Sequence, residues 1–226
     1  MKLIYKYVLL ALGLFAIAAC SPPKDSVTPD VPSDKPQSAI ESQGSGKTAI
    51  EKTRPVVSLN TSMGNIVIEF DPVKAPITVK NFLGYVEGGY YDGLIFHRVI
   101  PGFMIQGGGM KDDMASASPG KAIKNESDNG LSNMRGTIAM ARTSDPDSAT
   151  SQFFINQADN TFLDYKPGKP GYAVFGHVIS GMDVVDKIAK VDTGYKKGHS
   201  DVPEKAVFIT KVAIIKAGSD PEAVEE

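Results

Sequence analysis

The sequence has few of the residues that build metal sites, disulfide frameworks or nucleic-acid surfaces. It has 226 residues, of which one is cysteine, three are histidine and none is tryptophan. One cysteine excludes a disulfide framework within the chain and a thiolate-rich zinc site, and the scattered histidines supply no ligand pair at helical or finger spacing. Lysine and arginine number 24 against 26 acidic residues, so no basic excess is available for phosphates. We therefore expect no metal, no cofactor and no nucleic-acid partner.

Long apolar runs are also scarce, and the most prominent one lies near the N-terminus. Lys2 and Lys6 precede an apolar run over residues 7–19. This run of about 13 residues is shorter than the roughly 20 that cross a bilayer as a helix, so the pattern predicts an export signal over residues 1–19 rather than a membrane-spanning helix.

The end of this segment resembles a bacterial lipoprotein signal. Ala18 and Ala19 are the small residues that come before a cysteine, Cys20, which in such proteins becomes the lipidated first residue of the mature chain. The resemblance implies an exported protein anchored to a membrane through Cys20. Ser21 resembles the sorting signal for the outer membrane, which implies the periplasmic face of that membrane if the host is Gram-negative.

Residues 20–55 have almost no large apolar side chains. Pro, Ser, Lys, Asp, Thr and Gln dominate them, and such a composition cannot bury enough surface to fold, so we expect a disordered tether after the lipidated cysteine. Gly44–Thr48 resembles the end of a phosphate-binding loop, but Glu41 stands where its first glycine should be and no apolar strand precedes it, so the motif fails. Residues 218–226 form an acidic tail that is expected to fray.

Short apolar runs separated by Gly, Pro, Asp and Asn fill the segment 56–217. Alternation on both sides of Ser62–Asn65 predicts a β-hairpin. Apolar residues at i, i+3, i+4 and i+7 after Pro76 predict an amphipathic helix that ends at Gly88, and a second helix is predicted over Met182–Lys190.

Six further strands are predicted over residues 94–100, 104–106, 136–141, 152–156, 172–178 and 207–215. Many short strands with only two helices indicate a closed sheet, because closure removes exposed strand edges. The expected fold class is therefore all-β dominated, a closed β-barrel with helices over its ends.

A charged residue, Arg98, stands inside one of the predicted strands. The residues alone leave two interpretations open, a surface arginine paired with a carboxylate or a cation with a function. His97 beside it is typical of a packed, hydrogen-bonded histidine. In the strand over 152–156, alternation predicts that Phe153 points into the core, whereas Phe154 is an exposed aromatic on the outer face.

Four motifs follow one another in the order Phe96–Gly108, Arg135–Arg142, Ser151–Asn156 and Tyr172–Val178. Together they closely resemble the cyclophilin family of peptidyl-prolyl isomerases, especially its exported bacterial members. The resemblance implies an eight-stranded antiparallel β-barrel capped by two α-helices, with the active site in a groove on the outer wall. It also implies a monomeric enzyme that accelerates cis–trans isomerisation of X-Pro bonds in proline-containing peptides and unfolded exported proteins.

The same resemblance implies roles for individual residues. Arg98 matches the catalytic arginine of the family. The residues that match the substrate groove are Phe103, Met104, Gln106, Ala141, Arg142, Gln152, Phe154, Phe162, Leu163 and Tyr172. Phe162 and Tyr172 stand where many eukaryotic members have Trp and His, and Arg142 stands where they have Asn. These departures imply weak cyclosporin binding.

The chemistry of an X-Pro bond suits an arginine in such a groove. Resonance gives the amide C–N bond partial double-bond character and a barrier of about 18–20 kcal/mol. A cation near the prolyl nitrogen draws its lone pair out of conjugation, and a guanidinium stays charged at any working pH. Two functions remain open, an isomerase or a membrane-tethered peptide-binding or chaperone-like module that uses the same groove.

The length of the loop after Ile100 decides which residues share a face with Arg98. A two-residue loop, Pro101–Gly102, would place Arg98 and Gln106 on opposite faces of the sheet, whereas a three-residue loop that includes Phe103 sets them directly across from each other. Strand alternation alone allows both registers, and the resemblance favours the longer loop.

Overall fold

The computed structural model describes residues 54–215, whose strands and helices lie in the order β1, β2, α1, β3 to β7, α2, β8 to β10. The strands are β1 (Val56–Thr61), β2 (Gly64–Phe70), β3 (Ile95–Ile100), β4 (Met104–Met110), β5 (Thr137–Met140), β6 (Phe153–Asn156), β7 (Val174–Ser180), β8 (Thr193–Lys196), β9 (His199–Pro203) and β10 (Ile209–Ile215). The helices are α1 (Pro76–Glu87) and α2 (Met182–Ile188). The predicted export signal, Cys20, most of the predicted tether and the acidic tail lie outside the described residues.

The main sheet is an open half-barrel, so the prediction of a closed barrel is wrong. Its eight antiparallel strands follow the order β10-β1-β2-β7-β5-β6-β4-β3, which leaves β10 and β3 as edges. Within residues 54–215 these edges meet at a single bridge between Ile95 and Phe208, supported by a 2.9 Å hydrogen bond from the Phe96 N–H to the Val207 carbonyl. Beyond that bridge β3 lies against β9, so the β8–β9 hairpin covers the edge that a closed barrel would pair.

The predicted hairpin and both predicted helices are confirmed. β1 and β2 pair in register through the turn after Thr61. α2 ends at Ile188, two residues before the predicted end. Of the helices within residues 54–215, neither is long and apolar enough to cross a membrane.

Helix α1 begins with Pro76, at a position where the missing N–H costs no helical hydrogen bond. The residue before it, Ala75, has no side-chain group that can cap the helix. Glu126 supplies the cap from a distant loop, because its carboxylate accepts hydrogen bonds from the backbone N–H groups of Ile77 (3.1 Å) and Thr78 (2.8 Å). A negative charge at this end also complements the helix dipole.

The concave side of the sheet encloses a core of packed aromatic rings. Phe82 of α1 lies at its centre, with ring centroids 5.0 Å from Tyr91, 5.1 Å from Phe70, 5.4 Å from Phe175 and 5.6 Å from Phe153. All five side chains are essentially inaccessible to solvent. Burial of each large apolar side chain contributes about 1.5–3 kcal/mol to folding. The interior is therefore filled, and a ligand site must lie elsewhere.

A second, smaller apolar cluster lies on the outer face of the same strands. It contains Met104, Ala139, Phe154 and Val174. Phe153 and Ile155, the neighbours of Phe154 in β6, belong instead to the main core. The predicted alternation in β6 is confirmed. The expectation that Phe154 is exposed is wrong, because it is 4% exposed and is covered by this cluster and by the Tyr172 ring.

The first described residues already contact the sheet. The Arg54 guanidinium lies 3.1 Å from the carboxylates of both Glu69 and Asp71, and the Pro55 carbonyl accepts a hydrogen bond from the Phe70 N–H. Arg54 and Pro55, the last two residues of the predicted tether, are thus part of the folded unit.

Candidate active site

The loop between β3 and β4 has three residues, 101–103, and the longer of the two possible registers is confirmed. Gly102 at its centre has a φ of +73°, a conformation that glycine adopts without steric cost. This loop sets Arg98 of β3 directly opposite Gln106 of β4. The two side chains therefore share one face of the sheet.

A β-bulge at His97 turns Arg98 towards the outer face. Phe96 pairs with Gly107 and Arg98 pairs with the adjacent Gln106, so His97 is the extra residue on β3. In a regular strand Phe96 and Arg98 would point to the same side, because side chains alternate. The bulge allows Phe96 to stay in the core while Arg98 points outwards.

The outward row continues across two further strands. Gln106 pairs with Phe154 of β6, and Phe154 pairs with Ala139 of β5. A cation, an amide and an aromatic ring thus lie side by side on the outer wall. The order results from strand pairing, since these residues are far apart in sequence.

These side chains line a groove of about 720 Å³ on the outer wall. The sequence-predicted residues in its lining are Arg98, Phe103, Met104, Gln106, Ala141, Arg142, Gln152, Phe154, Leu163 and Tyr172. Phe162 is the one predicted groove residue outside the lining: it is 62% exposed, and its ring stacks on Phe103 with centroids 5.7 Å apart. The lining residues that were not predicted from the sequence are His97, Met110, Gly198, His199, Ser200 and Asp201.

The apolar end of the groove is held by bonds between its walls. The Tyr172 ring meets Phe154 edge-on at 5.7 Å, and the Tyr172 N–H donates to the Leu163 carbonyl at 2.9 Å. The buried Asn160 links the Leu163 segment to Phe103, because its carbonyl accepts a hydrogen bond from the Leu163 N–H and its amide donates to the Phe103 carbonyl, both at 2.9 Å. The result is an apolar recess of fixed shape that is open to solvent on one side.

A pair of amides separates this recess from the charged end. The Gln106 Nε2 group donates to the Gln152 Oε1 atom at 3.0 Å. Gly109 makes room for Gln152, because a Cβ atom at that position would overlap the Gln152 side chain. Gly107 and Gly108, the two residues before it in β4, make room in the same way for the core side chains of Phe96, Tyr91 and Phe153.

At the charged end, the Arg98 side chain is 44% exposed and its Nε atom lies 3.8 Å from the Asp201 Oδ2 atom. The structure thus combines the two interpretations that the residues left open. Arg98 has a carboxylate neighbour, and it also faces the groove.

The described domain matches one protein family along almost its whole length. Residues 56–214 match the family model for cyclophilin type peptidyl-prolyl cis-trans isomerases. The chain belongs to the cyclophilin family. Accordingly, it is an enzyme, a peptidyl-prolyl cis-trans isomerase.

Individual relatives support this assignment. Peptidyl-prolyl cis-trans isomerase A of Dickeya dadantii is 57% identical over 160 residues, which cover 71% of this chain and 84% of the relative. Peptidyl-prolyl cis-trans isomerase B of Escherichia coli is 52% identical over 162 residues, which cover 70% and 99%. A crystal structure of a Cryptosporidium parvum cyclophilin in the presence of the dipeptide Ala-Pro has a TM-score of 0.60 at 28% identity, and the match covers 71% of this chain and 99% of that one.

In this cyclophilin, the Arg142 side chain braces one wall of the groove. Its guanidinium donates to the carbonyls of Gly171 (3.1 Å), Pro170 (2.8 Å) and Thr143 (2.9 Å), and it lies 4.6 Å from the centre of the Tyr172 ring. The Arg142 guanidinium is thus engaged by carbonyls and a ring of the protein itself. Arg142 therefore shapes the recess through Tyr172.

His97 is packed as expected, but one of its two ring nitrogens has no hydrogen bond to any of residues 54–215. It is 5% exposed, and its Nδ1 atom has no hydrogen-bond partner among the described residues. Burial, with a smaller contribution from the nearby His199, lowers the pKa of His97 from 6.5 to about 4. His97 is therefore neutral at pH 7 and cannot act as a second cation in the groove.

Four of the missed lining residues come from one element, the β8–β9 hairpin. Its two-residue turn, Lys197–Gly198, has positive φ values of 47° and 91°. Glycine in the second position of a two-residue turn is the signal that would have predicted this hairpin. The first position lacks the usual Asn or Asp, and the strands on either side are mostly polar.

Proposed function

We propose that this isomerase is anchored to a membrane outside the cytoplasm through a lipidated Cys20 and that it accelerates X-Pro isomerisation in exported proteins as a monomer. Arg98 is its catalytic residue in this proposal. The observation that carries the catalytic part is the half-exposed guanidinium of Arg98, which stands in one row with Gln106 and Phe154 on the wall of the groove.

The apolar recess suits the ring of a proline. Phe103, Met104, Phe154 and Leu163 offer apolar surface on several sides, and the groove is open where the peptide must enter and leave. The related Cryptosporidium structure was determined in the presence of Ala-Pro, which supports a proline dipeptide as the ligand class. A ring held in this recess stays fixed while the acyl part of the X-Pro bond rotates.

Arg98 acts on the electrons of the amide in this mechanism. Rotation requires loss of the resonance between the prolyl nitrogen and the carbonyl. A guanidinium near the prolyl nitrogen stabilises the lone pair as it becomes localised there, and it offers several N–H donors in a fixed plane. The effect is electrostatic and needs no proton transfer. His97 is neutral at pH 7, so its imidazole does not contribute charge.

The two glutamines hold the middle of the groove in one arrangement. Gln106 stands across from Arg98, and its amide is tied to Gln152 by the 3.0 Å hydrogen bond. The amide pair therefore gives the peptide backbone a polar wall between the cation and the recess.

The sequence carries the proposal of export and anchoring. The lysines before the apolar run, the small residues Ala18 and Ala19, and the single cysteine Cys20 follow the order of a lipoprotein signal. Several acyl chains on one residue anchor stably, because each buried methylene contributes about 0.8 kcal/mol. Ser21 favours the periplasmic face of the outer membrane in a Gram-negative host.

Replacement of Arg98 with alanine tests the catalytic proposal. We expect kcat/KM for a short X-Pro peptide to fall by about two to three powers of ten, as for a group that supplies roughly 3–4 kcal/mol in the transition state. The melting temperature should change little, because the side chain is half-exposed. An Arg98→Ala protein that unfolds would indicate that the ion pair of Arg98 with Asp201 is structural. A variant that keeps the wild-type rate would refute the catalytic role.

Mass spectrometry of the membrane fraction tests the anchoring proposal. We expect the mature chain to begin at an acylated Cys20, and a Cys20→Ser chain to leave the membrane fraction. A different mature N-terminus, or a Cys20→Ser chain that stays with the membrane, would contradict the proposal.

A further inference from the structure

The carboxylate of Asp201 lies beside the catalytic arginine of the proposed mechanism. Its Oδ2 atom is 3.8 Å from the Arg98 Nε atom. Among residues 54–215, no other carboxylate lies within 4.0 Å of the Arg98 guanidinium. Arg98 and Asp201 both line the groove, so this pair belongs to the surface that a peptide contacts.

The backbone holds Asp201 in a conformation that few residues adopt. Its φ is +60°, in the left-handed region where aspartate, asparagine and glycine are favoured. The next two residues, Val202 and Pro203, are buried, which fixes β9 on the domain.

The β8–β9 hairpin that carries Asp201 is also tied down at its tip. The Nζ groups of Lys196 and Lys197 each donate to a backbone carbonyl, of Asp112 and Asp113, at 2.7 Å. Asp201 is therefore presented to the groove from an element with several attachments.

Arg98 needs such a partner, because its side chain is long and 44% exposed. An unrestrained arginine samples many rotamers, and only some of them direct its N–H groups at a bound peptide. A carboxylate on the Nε side attracts the guanidinium to one side of the groove, which leaves the terminal N–H groups for the substrate. This arrangement lowers the entropy lost when the transition state forms.

We propose that Asp201 is a positioning residue that orients Arg98 for isomerisation. The proposal rests on the catalytic role proposed above for Arg98. It also gives the β8–β9 hairpin a function, since this hairpin brings the carboxylate to the edge strand that carries Arg98.

Two substitutions of Asp201 in the full-length chain test the proposal. Asp201→Asn keeps the shape and the left-handed backbone but removes the charge, and Asp201→Gly removes the side chain and any backbone strain. We expect both to lower kcat for a short X-Pro peptide by about three- to fivefold at low salt, the size of effect that a half-exposed ion pair supports. KM should change by less than twofold.

Salt gives a readout that a merely structural role would not change. At about 1 M salt the Debye length falls to about 3 Å, so the wild-type kcat should approach that of Asp201→Asn. The ratio of kcat at low and high salt should be smaller in both variants than in the wild type.

Asp183→Asn is the matched control, because it removes a 2.9 Å surface pair with Lys187 outside the groove lining. It should leave both kcat and its salt dependence unchanged.

The outcomes separate this proposal from the one on which it rests. If Arg98→Ala lowers kcat/KM but both Asp201 variants keep or exceed the wild-type kcat, the positioning role is wrong and the catalytic role stands. If Arg98→Ala keeps the wild-type rate, the catalytic role itself fails. In an Arg98→Ala background, Asp201→Asn should change the residual rate by less than twofold, and a larger change would overturn the proposal.

Discussion

Replacement of Arg142 with alanine should loosen the proposed substrate groove as well as weaken the fold. The guanidinium holds the carbonyls of Pro170, Gly171 and Thr143, and it packs against the Tyr172 ring. Tyr172 in turn forms the edge contact with Phe154. Loss of Arg142 therefore frees a loop whose other end is a wall of the recess.

The contacts of Arg142 set the size of the effect. A hydrogen bond from a charged donor contributes about 1.5–3 kcal/mol when it is buried, and about 0.5 kcal/mol is appropriate for each of these half-exposed bonds. The cation–π contact adds about 0.5 kcal/mol. The free energy of unfolding should therefore fall by about 2 kcal/mol, which lowers Tm by about 4–8 °C in a domain of this size.

Thermal melts and peptide kinetics measure the two effects separately. Arg142→Ala should raise KM about threefold with little change in kcat, because Tyr172 shapes the recess and does not act on the amide. Arg54→Ala is the matched control: its guanidinium lies 3.1 Å from the carboxylates of Glu69 and Asp71, both outside the groove lining, so Tm should fall while KM stays constant. An Arg142→Ala protein with unchanged KM would refute the bracing role.

Three further predictions concern other parts of the molecule. Phe162→Trp should tighten cyclosporin inhibition with little change in peptide turnover, because Phe162 lies on the rim and lacks an indole N–H; wild-type inhibition as strong as in typical eukaryotic relatives would contradict this. NMR should show that the His97 imidazole titrates near pH 4. The free energy of unfolding should fall as the pH drops from about 6.5 towards 4, because in this range the unfolded chain binds a proton at His97 that the folded chain does not. This part of the pH dependence should be missing in His97→Gln. A chain truncated to begin at Lys52 should keep the wild-type Tm and turnover, whereas a further Arg54→Ala change should lower Tm slightly, because it removes the contacts with Glu69 and Asp71.

Alternation and turn signals predicted the elements that have a regular apolar pattern and a turn or capping residue at their ends. The β1–β2 hairpin has clear alternation, and α1 begins with a proline and ends before a glycine. The three-residue loop after Ile100 was one of two registers that alternation allowed. Family resemblance selected the longer one, since strand periodicity contains no information on loop length.

The bulge at His97 shows why the site could not be derived from periodicity alone. Regular alternation places Phe96 and Arg98 on one face, which would put the guanidinium into the aromatic core or the ring into water. A single extra residue resolves this conflict, and bulges leave little trace in a single sequence. The unpaired position then holds His97, which explains how a buried imidazole comes to lie beside the groove.

The closed barrel was predicted because unpaired strand edges are unfavourable, and that premise is sound. The protein satisfies it in another way, since one bridge joins the edges and the β8–β9 hairpin lies against the rest of β3. The mostly polar hairpin gave no apolar pattern to detect. The same omission left Asp201 out of the predicted groove, so an error in the fold became an error in the list of lining residues.

The two apolar clusters explain why the proposed substrate site lies on the outer wall. β4 and β6 bury side chains on both faces, so their sequences contain continuous apolar pairs such as Met104–Ile105 and Phe153–Phe154 rather than strict alternation. One member of each pair belongs to the filled core and the other to the small outer cluster. Partly exposed apolar side chains, among them Phe103, Leu163 and Tyr172, cover the four buried members of the outer cluster, and the half-buried Gln106 lies where the sheet meets the groove. A proline ring placed there covers the apolar surface that the protein leaves open, and the adjacent Arg98 is then close to the bond that must rotate.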